Sequence, residues 1–64
     1  MTKPDVTSHV EELFAAEAAL RRAASEWGRE KTNTNAKDLR AAAIAYSEAA
    51  ERINAAVEST LENQ

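Results

Sequence analysis

The sequence predicts an all-α fold: an antiparallel two-helix hairpin in the style of an alanine-rich coiled coil, expected to dimerise into a four-helix bundle. Three observations predict it. Large apolar residues recur every seven positions in two ladders, Val6, Leu13, Leu20, Trp27 and Leu39, Tyr46, Ile53, with Thr60 as a weak last rung. That repeat keeps one helix face against a neighbour. Fifteen residues are alanine and only one each is glycine and proline, so helix breakers are scarce. Finally, the one polar, turn-prone cluster, Thr32-Asn33-Thr34-Asn35, sits at mid-chain. The ladders mirror each other about Asn33, so a chain folding back there brings each rung level with its counterpart. We expect one domain over 1–64, with a first helix at about 4–31, a turn at about 32–35 and a second helix at about 36–62.

In chain order, Thr2 with Asp5 and Ser8 with Glu11 each have the spacing of a capping box, in which a hydroxyl and a carboxylate satisfy free backbone N–H groups. Pro4 suits a first turn, where its missing N–H costs nothing, and Val6 belongs to the ladder. The first helix is therefore expected to start near residues 3 to 5. Gly28 offers either a helix stop or a close-contact point, leaving the end open between 27 and 32. Asn35, with Asp38 three residues on, is the expected N-cap of the second helix. Three and four positions after the rungs run small residues: Ala16, Ala23 and Ala24 in the first helix, Ala42, Ala43, Ala49, Ala50 and Ala56 in the second. Such alanine layers let two helices approach toward the short end of the roughly 8–10 Å range.

This seam is thin. Outside Met1 there are twelve large apolar residues in 64, and chains this short usually need a disulfide, a metal or association to be stable. Cysteine is absent and His9 is the only histidine, so neither a disulfide nor a structural zinc site is available. Association remains. Phe14 lies off the ladder beside Val10 and Ala18, Ile44 lies on the outer face of the second helix, and Leu61 lies on a flank. Val10, Phe14, Ala18, Ile44 and Leu61 are the expected partner interface, because an apolar stripe wider than one seam argues for bundle packing.

Net charge is −3, but unevenly spread. Between Ala18 and Ser47, Arg21, Arg22, Arg29, Lys31, Lys37 and Arg40 outnumber Glu26, Glu30 and Asp38 to give +3; the remainder carries −6. Two hairpins packed head to tail would set basic loop ends against acidic terminal ends. No catalytic residues, cofactor or metal are expected: one histidine supplies no base beside a nucleophile, one glycine makes no phosphate loop, and His9 with Glu12 reverses the Glu-x-x-His order of di-iron bundles. No apolar run approaches the roughly 18 residues that span a bilayer, and Met1 to Asp5 has no apolar signal core, so a cytoplasmic location without membrane association is expected.

The alternative is nucleic-acid binding through Arg21, Arg22, Arg29, Lys31, Lys37 and Arg40. With Lys3 and Phe14 on the first helix and a midpoint turn, the hairpin resembles the small plasmid-encoded Rop-type RNA-binding proteins, which dimerise into four-helix bundles. That resemblance implies an RNA face using Lys3 and Phe14, although Val10, Ala18 and Ser25 stand where it would need polar or basic contacts. A second alternative is the secreted helical hairpins with Trp-x-Gly in the turn; here Trp27 and Gly28 are adjacent. The expected function is a non-enzymatic interaction protein that self-associates as a dimer and binds a protein partner as a small regulator, adaptor or assembly component.

Overall fold

The seven-residue ladders do form two helices that pack on each other. The computed structural model describes residues 6–62, in which α1 (Val6–Arg29) and α2 (Asn33–Glu62) run antiparallel. The expected start of the first helix near residues 3 to 5, and the Thr2–Asp5 box, lie outside the described residues. Ser8 lies inside α1, so it does not cap the helix.

The fold-back comes earlier than the sequence suggested. Asn33 is already helical, and the chain reverses through Glu30, Lys31 and Thr32. Thr32, not Asn35, caps α2: its hydroxyl accepts from the Asn35 N–H at 3.1 Å and its carbonyl from the Ala36 N–H at 3.0 Å. Asn35 turns its side chain the other way. Its Nδ2 donates to the Glu30 carbonyl at 2.8 Å and to the Glu26 carbonyl at 3.2 Å, a second donor for acceptors that the Thr32 and Glu30 N–H groups also reach at 3.0 and 2.9 Å. One asparagine thus closes the helix before it, and α2 gains three residues over the expected start at 36.

Centring the reversal on Lys31 changes the register. Residues level with each other lie equally far from Lys31, so Leu13 meets Ala49, Leu20 meets Ala42, Tyr46 meets Ala16 and Leu39 meets Ala23. The expected pairing of large rung with large rung is corrected to large against small. The burial of Ala49 agrees with this: it is 2% exposed, the one buried side chain among the described residues. Arg52 reaches across to Glu12 at 3.7 Å and ties the two helices together along one side of the seam. Large-to-small meshing is what a two-helix seam can fill without voids, and it gives a rod of 49 × 15 × 15 Å. Its radius of gyration, 15.0 Å, exceeds the roughly 11 Å of a compact chain this long.

The seam thins at the open end. Val6 is 37% exposed, and Thr60 spends its hydroxyl on the Ala56 carbonyl at 3.0 Å while its side chain stays exposed. The fourth rung is therefore open. Gly28 neither stops α1 nor serves a close contact: no described glycine has a positive φ, and a Cβ added there meets nothing within 4 Å.

Candidate interaction surface

Labelling each ladder position a, with Leu13 and Leu39 both a, sorts the remaining residues by face. Antiparallel pairing puts the e and b positions of both helices on one flank, the g and c positions on the other, and the f positions on the two backs. The ion pair between Glu12 and Arg52, both g, places them together on the second flank as this geometry requires. Burial differs between the two: at e positions Val10, Glu17, Ala36 and Ala50 are half-buried while Ala24, Ala43 and Val57 are exposed, whereas the g residues Glu12, Ala19, Glu26, Ala45 and Arg52 are all exposed.

The two flanks differ in chemistry. Eight charged residues occupy the g/c flank, among them Glu12, Arg22, Glu26, Arg29 and Arg52. The e/b flank carries three, Glu17, Arg21 and Arg40, and the first two neutralise each other at 3.2 Å. Its other residues include Val10, Ala24, Ala43, Ala50 and Val57, with Phe14 and Leu61 standing out at 62% and 64% exposure. Val6 continues the patch at the open end. The rod therefore has one apolar side and one charged side.

Of the residues singled out from sequence, this flank brings together Val10, Phe14 and Leu61. Ala18 and Ile44 are not among them; both occupy f positions on the backs of their helices, Ile44 at 59% exposure. Sequence reading overlooked Val57, one turn before Leu61 and 44% exposed. Val57 falls four residues after the Ile53 rung, and the asymmetry between e and g sides becomes visible only once helix direction is fixed.

The basic residues do not converge. Arg21 and Arg40 lie on the apolar flank, Arg22 and Arg29 on the charged flank, Lys37 on the back of α2 and Lys31 in the turn. Arg21 and Arg29 are engaged by Glu17 and Glu26 at 3.2 and 3.6 Å. Lys31 donates to the Gly28 carbonyl at 3.4 Å and stands 5.7 Å over the half-buried Trp27 ring. Among the described residues, Arg22, Lys37 and Arg40 make no ion pair.

At the open end His9, a d position level with Ile53, lies in the seam. Its Nδ1 is shielded from solvent, makes no hydrogen bond and is 3.6 Å from a Glu12 carboxylate oxygen that Arg52 also approaches. No group of three or more His, Cys, Asp or Glu converges among the described residues, and no described helix is long and apolar enough to cross a membrane. Comparison with protein-family models, curated proteins and solved structures finds no match.

Proposed function

We propose that the chain is a non-enzymatic, cytoplasmic helical-hairpin interaction protein that self-associates and binds a protein partner, serving as a small regulator, adaptor or assembly component. The observation that carries this reading is the two-sidedness of the rod. Phe14, Val57 and Leu61 are exposed on one flank with few charges around them, while among the described residues Ala49 alone is buried. An amphipathic face of this kind docks against other helices through apolar anchors. The turn spends Thr32 and Asn35 on its own backbone.

Nucleic-acid binding ranks below it. Arg22, Lys37 and Arg40 are unpaired, which favours that alternative, but they lie on three different faces and make no continuous phosphate track. One comparison separates the two classes. Capture from native lysate that survives nuclease treatment, changes little with salt and is lost in Phe14→Asp supports protein interaction. Capture that nuclease abolishes, that weakens steeply with salt and that disappears on replacing Arg22, Lys37 and Arg40 overturns it.

A further inference from the structure

We infer that the apolar flank is covered by a second copy of this chain, packed head to tail about a two-fold axis that crosses the middle of the rod beside Phe14. This rests on the self-association proposed above and specifies its surface and direction. The axis follows from the register. Counting from Lys31, Phe14 is level with Glu48, at the midpoint of α2 (Asn33–Glu62). A two-fold axis across the rod at that height lays α1 along α1 of the second copy in opposite directions. It brings Phe14 against the same residue of the other copy, while Val10 and Val57 of each meet the alanines nearer the loop of the other.

Charge selects this direction over the parallel one. The change of sign between basic and acidic halves falls near the same midpoint, so reversal sets the +3 half on the −6 half, and parallel packing sets like on like. The ends of α2 agree. Its last turn holds no basic residue and finishes at Glu62, where the helix dipole favours a cation; reversal brings the second copy's basic loop end there. The area also fits: a 49 × 15 Å flank is roughly 700 Å² in projection, close to the about 800 Å² per partner of a stable interface.

The chain has no cysteine, so Thr34→Cys carries a single spin label at the exposed loop end of α2. In the dimer the two labels are expected roughly 40 Å apart, from 1.5 Å of rise per residue over reversed rods. A distance under about 20 Å means parallel packing and overturns the inference while leaving self-association intact. A monomer at every concentration in sedimentation overturns both. As an independent arm, Phe14→Asp and Leu61→Asp each raise the dimer dissociation constant at least ~10-fold, since each enters a symmetric interface twice. Ala55→Asp, on the charged flank, leaves it within about 2-fold. Equal effects of all three substitutions overturn the assignment of the flank.

Discussion

Gly28 is a residue whose backbone does nothing that requires glycine. It is helical, exposed and has open space where a Cβ would go. Gly28→Ala should therefore stabilise the hairpin by about 0.5–1 kcal/mol, through loss of unfolded-state freedom, measured as a raised urea midpoint. His9 is the opposite case: a polar side chain in a seam position with a shielded, unbonded Nδ1. His9→Leu replaces an unsatisfied group by an apolar one and should gain about 1 kcal/mol, read as a higher melting temperature. A loss there would mean that the interaction with Glu12 outweighs the desolvation of the ring. Both residues carried visible sequence signals. What sequence lacked was the space around Gly28 and the depth of His9, each decided by the neighbouring helix.

At the scale of elements, the helices themselves were legible because the seven-residue spacing and alanine content act locally, along one chain direction. The turn was legible as a place but not in its wiring. Thr32, Asn33, Thr34 and Asn35 are all capable caps, and sequence alone ranks asparagine first. In the structure the amide of Asn35 adds a second donor to the Glu26 and Glu30 carbonyls, which already accept from the Glu30 and Thr32 N–H groups, and a threonine hydroxyl three residues earlier suffices for α2. Asn35→Ala should consequently destabilise the hairpin by about 1 kcal/mol, because it removes both donations to α1. Thr32→Ala should cost about 1 kcal/mol with Thr32→Ser restoring most of it, since serine keeps the capping oxygen. Chemical denaturation of the three variants tests the division of labour. If Asn35→Ala is silent while Thr32→Ala is costly, the backbone N–H groups of Glu30 and Thr32 suffice for the two carbonyls.

At the scale of the whole molecule, moving the fold-back by two residues decided how the two ladders mesh. Mirror symmetry about Asn33 looked complete in sequence because both ladders repeat every seven residues and match at several offsets; the position of the turn between Arg29 and Asn33 selects one. The Glu12–Arg52 bridge joins the helices but adds little stability, being about half exposed at both ends. The large-to-small seam that results buries Ala49 and leaves Leu13, Leu20, Leu39, Tyr46 and Trp27 half-covered. A rod of this kind gains little from its own interior, so its stability should depend on how much of it is dimeric. The melting temperature should then rise with protein concentration. For a dimer that unfolds in one step, a 100-fold increase adds about 2.7 kcal/mol. Spread over the unfolding entropy of two chains, that corresponds to about 10 °C. Melts followed by circular dichroism across that concentration range measure the shift directly. Phe14→Asp should flatten the dependence by breaking the association. A concentration-independent melt of the unaltered chain would show instead that two half-covered helices stand without a second copy.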